Sequence, residues 1–271
     1  MIRILSILVG LFFSMALLWS FGNGAVAYIS EPPHATVEHE FHKRPKEVAF
    51  ASDGVFGKFD NQQLQRGFKV YKEVCANCHA LRHVAFRDLK AIGYNDDEVK
   101  AIAKGFQIPA YNSMTGELKS HAGLVTDYFP PVAYGGQGNP PDLSLITKAR
   151  HEGPAYVYSL LTGYQPQPAE LLKEFPDAKT PAGLHYNPYF ANLNIAMPAP
   201  LTADDQVTYS DGTKATVDQM SQDVSAFLIW TAEPKLDKRK QTGWAVLGFL
   251  LFATILAYMA YRNIWAEKKG H

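Results

Sequence analysis

The chain has 271 residues, 47% of them apolar, and its 26 basic and 26 acidic side chains give a formal net charge of zero. This length suffices for one domain of roughly 150–200 residues together with membrane segments. The balanced charge argues against a nucleic-acid-binding protein, since such proteins carry a basic excess, and an aromatic content of 13% argues against a disordered chain.

The first 27 residues have the pattern of a secretory signal peptide. Arg3 precedes a long apolar run, and small residues then lead to an A-x-A site at residues 25–27. We expect cleavage after Ala27; the alternative is an uncleaved anchor, because the apolar run is nearly long enough to cross a bilayer. In either case the residues from Tyr28 onwards are expected to be exported, and the composition favours a bacterial signal over an organelle transit peptide.

Residues 28–240 are predicted to form one exported domain that is mostly helical. Asp60 can cap the first of its helices, and Thr216 with Gln219 resembles a capping box at the start of the last. No strong run of strands is evident, and long loops rich in Pro and Gly (128–141, 165–188 and 196–200) suit the wrapping of a large flat cofactor. The segments with apolar residues at helical spacing are 60–74, 96–105, 154–162 and 216–231.

The two cysteines of the chain lie three positions apart, and a histidine directly follows the second. Cys75, Cys78 and His79 form C-x-x-C-H, in which two thiols bond to the vinyl groups of haem and the histidine ligates the iron. A disulfide would close too short a loop to stabilise the fold, zinc would need a second pair of ligands, and a thioredoxin-like site would need a βαβ setting. The motif, at the end of an amphipathic helix in an exported chain, predicts one covalent haem c.

No sequence motif identifies the sixth ligand of the haem iron. A methionine there gives an electron carrier, whereas an open position gives a ligand binder or an enzyme. Met220 falls on the apolar face of a predicted helix, where packing explains it. Met197 lies in a proline-rich extended loop that would resist exchange of the ligand for water, and this favours it over Met114, Met220, a histidine or no ligand.

A second apolar segment, residues 243–261, contains no charged side chain. At roughly 1.5 Å per residue it nearly crosses a hydrocarbon core of roughly 30 Å, and Trp244 and Tyr261 at its ends are typical of membrane interfaces. Basic residues flank both ends, so the export signal decides the orientation. We predict a transmembrane helix over 241–262, a periplasmic domain over 28–240 and a cytoplasmic tail over 263–271, with a single pass through a bacterial inner membrane.

Four segments taken in order resemble the cytochrome c1 family, the haem subunits of bc1 complexes. Residues 67–93, GFKVYKEVCANCHALRHVAFRDLKAIG, are similar to its haem-attachment region, and 139–164, 186–200 and 211–234 agree in the same order. The resemblance implies a class I-like c-type cytochrome domain with long loops and one C-terminal transmembrane helix. It also implies thioether bonds to haem c and two axial ligands, the residues being Cys75, Cys78, His79 and Met197.

The resemblance implies further contacts of the haem. Arg150 would pair with a haem propionate, a role that suits a guanidinium because it can bind a carboxylate through two hydrogen bonds; the alternative is an ordinary surface cation. Pro141 and Tyr156 would line the haem edge. Some bacterial members carry an extra disulfide, which this chain cannot form with Cys75 and Cys78 alone.

The implied function is transfer of single electrons from a Rieske iron–sulfur protein to a soluble or tethered cytochrome c. The surrounding complex would contain cytochrome b, oxidise quinol in a lipid membrane and be dimeric, and no side chain of this chain would act as acid, base or nucleophile. A tethered cytochrome c subunit of another dehydrogenase or oxidase is the nearest alternative, ahead of a peroxidase-like enzyme or a haem sensor. Asp96, Asp97 and Glu98 are candidates to steer a basic cytochrome c, or simply suit a helix start.

Overall fold

The chain divides into two compact units, residues 1–41 and 42–271. The computed structural model describes residues 2–31, 36–111 and 116–266. The first unit contains helix α1, Ile2–Ser30, and the short helix α2, Val37–Phe41. α1 includes the predicted signal segment, has no buried residue and is long and apolar enough to cross a membrane.

The second unit is built mainly from helices, as the sequence predicts. Its described part holds six α-helices, two 3-10 segments and two small antiparallel sheets. The elements are α3 (Asn61–Glu73), 3-10 segments Cys75–Asn77 and Phe86–Ile92, α4 (Asp96–Lys104), β1 (Gln107–Tyr111), β2 (Leu118–Ala122), α5 (Gly153–Leu161), α6 (Ala169–Glu174), β3 (His185–Tyr186), β4 (Asn194–Ile195), α7 (Val217–Ala232) and α8 (Leu236–Ala266).

Helices α3 and α7 cross in close contact at the centre of this unit. A Cβ added to Gly67 would lie only 2.0 Å from the carbonyl oxygen of Asp223, so the backbones meet where only glycine fits. Phe68 and Tyr71 of α3 pack on Phe227 of α7, with ring centroids 5.5 and 5.9 Å apart. The crossing thus places the C-terminal end of α3, where the C-x-x-C-H motif begins, on a rigid aromatic core.

A buried ion pair joins the same two helices. Asp223 is fully buried, and its Oδ2 accepts a hydrogen bond from Nε of Arg66 at 2.9 Å. Arg66 also donates to Asp211 at 2.7 Å, and Gln219 donates to Asp223 at 2.9 Å. Burial opposes the charge of Arg66, but the bonds to the two carboxylates outweigh it and raise the pKa of the guanidinium. The charged group therefore fixes the register of α3 against α7.

The four predicted helices are present. The N-caps of α3 and α7 can be compared with those predicted from the local sequence. Oδ1 of Asp60 accepts from the backbone N–H of Gln62 at 2.9 Å, which confirms the predicted N-cap of α3. Thr216 caps α7 by accepting from the N–H of Gln219 at 3.0 Å. The predicted capping box was wrong in its second half, because the side chain of Gln219 turns to the buried Asp223 instead.

Several elements of the structure were not predicted from sequence. The β1–β2 hairpin, with Gln107 opposite Ala122 and Tyr111 opposite Leu118, was missed because Pro109 argues against a strand. Helix α6 lies inside a segment interpreted as a loop, and α8 extends beyond the predicted apolar run at both ends to 31 residues. α8 is exposed over its apolar window and is long and apolar enough to cross a membrane.

Candidate functional site

The C-x-x-C-H motif forms a tight turn directly after α3. The N–H groups of Cys78 and His79 both donate to the carbonyl oxygen of Cys75, at 3.1 and 2.9 Å. Both thiols are free rather than joined in a disulfide. Burial, together with the charge of Cys78, raises the pKa of Cys75 to about 12, so its thiol is protonated at neutral pH. Two adjacent reduced thiols and an imidazole are the donor set that covalent attachment of haem c requires.

The ring of His79 is held in one orientation by a backbone carbonyl. Its Nδ1 lies 2.8 Å from the oxygen of Pro141, and since a carbonyl only accepts, we assign the proton to Nδ1 and leave Nε2 free to bind a metal. Burial lowers the pKa of His79, which favours the neutral imidazole that a metal needs. The hydroxyl of Tyr71 donates to the carbonyl oxygen of His79 at 3.0 Å and fixes its main chain.

A set of hydrogen bonds, the 82–144 clamp, holds Pro141 against the motif. Asp142 accepts from the N–H of Arg82 at 2.9 Å, and Ser144, fully buried, accepts from the N–H of His83 at 3.1 Å. Burial works against the charge of Asp142, but hydrogen bonds from Arg82 and Ser144 outweigh it and lower the pKa of the carboxyl group. The clamp therefore sets the position of the carbonyl that orients His79.

A second group of side chains surrounds the loop that carries Met197. The hydroxyl of Tyr164 donates to the carbonyl oxygen of Met197 at 3.0 Å, and Met197 itself is half-buried. Burial raises the pKa of Tyr164, and the neighbouring Tyr156 adds to that effect. Burial also raises the pKa of Tyr156, while the positive charge of Arg150 opposes it. Arg150, Tyr156, Tyr164 and Met197 thus share one region.

The residues named from sequence fall into these two groups. His79 contacts Pro141, the charge of Arg150 acts on Tyr156, and the main chain of Met197 is bonded by Tyr164, which was not among the residues named from sequence. Arg150 is exposed, so its guanidinium remains accessible to a carboxylate. Among the other methionines considered, Met220 is fully buried in the core on α7, and Met114 lies outside the described residues.

The donor set suits a haem better than a bare ion. Over residues 2–31, 36–111 and 116–266, no group of three or more His, Cys, Asp or Glu side chains could hold a metal ion. Cys75, Cys78 and His79 supply two thiols and one imidazole from one turn, and Met197 would supply a thioether, the soft ligand that haem iron has in electron carriers. The residues present fit covalent haem c.

Comparison with known proteins identifies relatives over most of the chain. The sequence profile described as the Cytochrome C1 family matches residues 50–268. A protein of Rhodospirillum rubrum named cytochrome c1 is 42% identical over 233 residues, which cover 80% of this chain and 85% of that protein. A mitochondrial cytochrome c1 heme protein of Arabidopsis thaliana is 38% identical over 95% of this chain and 83% of its own length. A Bradyrhizobium diazoefficiens protein named cytochrome b/c1 is 40% identical over 84% of this chain, which spans 36% of that longer protein.

Proposed function

The chain belongs to the cytochrome c1 family, and we propose that it carries one haem, bonded through Cys75 and Cys78 and ligated by His79 and Met197. It is a haem electron carrier of the bc1 complex, with covalent haem c. When bound, haem c supplies reversible one-electron chemistry at its iron. The observation that carries the assignment of the site is the bond from Nδ1 of His79 to Pro141, beside two free thiols on the same turn.

The side chains around this site bind and orient rather than react. The Pro141 carbonyl accepts a hydrogen bond from Nδ1–H of His79, which makes Nε2 of the imidazole a stronger ligand for a metal. Tyr164 holds the main chain of Met197, and Arg150, exposed beside Tyr156, would pair with a propionate.

The partners follow from the place of the family in its complex. We propose that a Rieske iron–sulfur protein delivers the electron and that a soluble or tethered cytochrome c receives it. Cytochrome b is proposed as the membrane neighbour, which is supported by the relative whose name joins cytochrome b and c1 in one chain. A dimeric complex is proposed on the same family grounds.

The proposed topology places the haem domain in the periplasm of a bacterium. Residues 1–27 would be the signal peptide, 28–240 the periplasmic domain, 241–262 the transmembrane helix in the inner membrane and 263–271 the cytoplasmic tail. The exposed apolar surface of α8 supports the span. The described part of the tail, residues 263–266, continues α8.

The acidic residues at the start of α4 make local hydrogen bonds and ion pairs that stabilise the helix. Glu98 accepts from the N–H of Asn95 at 2.8 Å and closes a capping box. Asp97 pairs with Lys100 at 3.0 Å, and Asp96 pairs with Lys90. Since each carboxylate has a local partner, we propose the capping role for this cluster and not the steering of cytochrome c.

The proposed electron route is tested by removing the Rieske protein. In membranes that contain the complete complex, quinol should reduce the c-type haem of this chain rapidly, whereas in membranes that lack only the Rieske protein that haem should stay oxidised. Adding ferric soluble cytochrome c to the quinol-reduced complete complex should then reoxidise the haem, as the added cytochrome c becomes ferrous. Equally fast reduction in the two membranes would contradict the route.

A further inference from the structure

The loop that precedes α3, residues 50–59, is fastened to the first turns of α8. Nζ of Lys240 donates to the carbonyl oxygens of Ser52 and Gly54, each at 2.6 Å, and to that of Gly57 at 3.2 Å. One turn earlier, Asp237 accepts from the N–H of Phe59 at 3.2 Å. Three backbone carbonyl oxygens thus take the place of water around the ammonium group of Lys240. Together with the bond from Phe59 to Asp237, they hold the 50–59 loop against two successive turns of the helix.

The same loop is constrained within itself. Gly54 has φ +65°, which favours glycine, and a Cβ on Gly57 would lie 1.9 Å from the carbonyl oxygen of Asp53. The carboxylate of Asp53 accepts from the N–H of Phe50 at 2.7 Å, and Lys58 closes the loop by donating its N–H to Ala51 at 3.0 Å. These bonds fix the direction in which the tip of the loop projects.

The tip carries two apolar side chains that the domain does not cover. Val55 is 63% exposed and Phe56 is 77% exposed. The ring of Phe56 stacks on Trp244 of α8, with centroids 5.2 Å apart and an interplanar angle of 12°. Asp237, Lys240 and Trp244 follow one another at spacings of three and four residues, so the loop lies along one face of the helix.

We propose that the 50–59 loop is a second membrane contact, with Val55 and Phe56 inserted in the headgroup–acyl boundary beside Trp244. The proposal rests on the proposed function only in requiring that α8 spans the membrane. Trp244 is the first aromatic residue of the uncharged apolar segment 243–261 and lies about 6 Å along the axis from Lys240, so the tip reaches the bilayer surface where aromatic side chains are favoured. Lipid is the occupant because the patch is continuous with the lipid-facing helix and its tip is uncharged.

The consequence is a fixed tilt of the haem domain on its anchor. A single helix leaves a domain free to swing, whereas a helix and a bonded loop that both enter the interface define an orientation. Lys240 lies at the level of the headgroups, and its charge is solvated by the three carbonyls of the loop. These three hydrogen bonds, called the Lys240 clasp below, therefore form without an acidic partner.

The test is photocrosslinking in the intact complex in its native membrane. A photoreactive benzoylphenylalanine replaces Phe56, and separate samples carry it in place of Leu247 or Phe249, which lie about 200° apart on α8 so that one of them faces lipid. Leu118, an equally exposed apolar residue on β2, provides the control for general exposure. After irradiation, peptides of the purified chain are analysed by mass for attached phospholipid.

Phospholipid adducts at position 56 and at one α8 position, without adducts at 118, are expected. Adducts on α8 with none at 56, or crosslinks from 56 to another protein subunit, would overturn the loop proposal and leave the span intact. Adducts at none of these positions would overturn the span itself and with it the loop proposal.

A second variant tests the clasp. Lys240→Met removes the three bonds to the loop, so the yield of phospholipid adducts at position 56 should fall several-fold, while the yield on α8 stays constant. Lys238→Met, which removes a charge from an exposed position of the same helix turn, should change neither yield. Equal yields at position 56 in the two variants would contradict the clasp.

Discussion

The hydroxyl of Tyr164 holds the main chain of Met197, the proposed sixth ligand, although 33 positions separate the two residues. A thioether is a weak ligand that water or another side chain can replace, so its loop must be held in place for the iron to keep it. In a chain with only two cysteines, both assigned to the proposed haem attachment, this bond and the prolines after Met197 supply that restraint.

Replacing the proposed ligand tests the assignment directly. Met197→Leu should keep the haem attached, because the thioether bonds remain, but should lower the reduction potential and open the ferrous iron to carbon monoxide. Potentiometry and a carbon monoxide difference spectrum measure the two effects. An unchanged potential without carbon monoxide binding would show that another residue is the ligand.

Replacing the tyrosine tests the positioning of that ligand. Tyr164→Phe keeps the ring but removes one hydrogen bond, worth about 1 kcal/mol, so the absorption band of methionine-ligated ferric haem should be lost at a lower denaturant concentration than in the wild type. Tyr158→Phe is the matched control, since its hydroxyl bonds to Asp218 and not to the Met197 loop. If the two variants lose the band at the same denaturant concentration, Tyr164 has no specific role in ligation.

At the scale of elements, the crossing of α3 and α7 presents the haem motif on a rigid base. It combines a close backbone contact at Gly67 with the buried pair of Arg66 and Asp223. The contact at Gly67 depends on the lack of a side chain, and the ion pair depends on a cation beside the fully buried carboxylate of Asp223, so each is sensitive to a single substitution.

The close contact predicts a large effect from one methyl group. Gly67→Ala would place a Cβ against the carbonyl of Asp223 and should lower the free energy of unfolding by about 3 kcal/mol, at the upper end of overpacking effects. Gly135→Ala, where nothing lies within 4 Å, is the control and should have little effect. Thermal unfolding of the holoprotein measures both, and a similar small change in the two variants would contradict the crossing geometry.

Removing the cation of the buried pair should lower the free energy of unfolding by an amount that depends on pH. Arg66→Met leaves the carboxylate of Asp223 buried without its cation, which should cost about 3–5 kcal/mol at neutral pH. Acid removes the uncompensated negative charge by protonation, so the deficit relative to the wild type should shrink as the pH falls. Urea unfolding of the variant and the wild type, from neutral to acidic pH, measures the difference in their free energies of unfolding. A deficit that stays constant with pH would argue against a buried charge at position 223.

For the whole molecule, sequence reasoning succeeded where the information is local. The periodicity of α3 and α7 and the caps at Asp60 and Thr216 depend on residues a few positions apart. The clamp of Asp142 on Arg82 spans 60 positions, and no local pattern marks such a pair. The turn of Gln219 toward Asp223, in contrast, joins two residues four positions apart on α7, a local pair that the capping-box pattern did not take into account.

The most direct test of the proposed function is an optical difference spectrum of the complex, isolated through an affinity tag on this chain in mild detergent. We predict one c-type haem per chain together with b-type haem, all reduced on addition of quinol. A c-type signal that quinol does not reduce, without b-type haem, would contradict the place of this chain in a bc1 complex. The absence of any c-type signal would contradict the haem site at Cys75, Cys78 and His79.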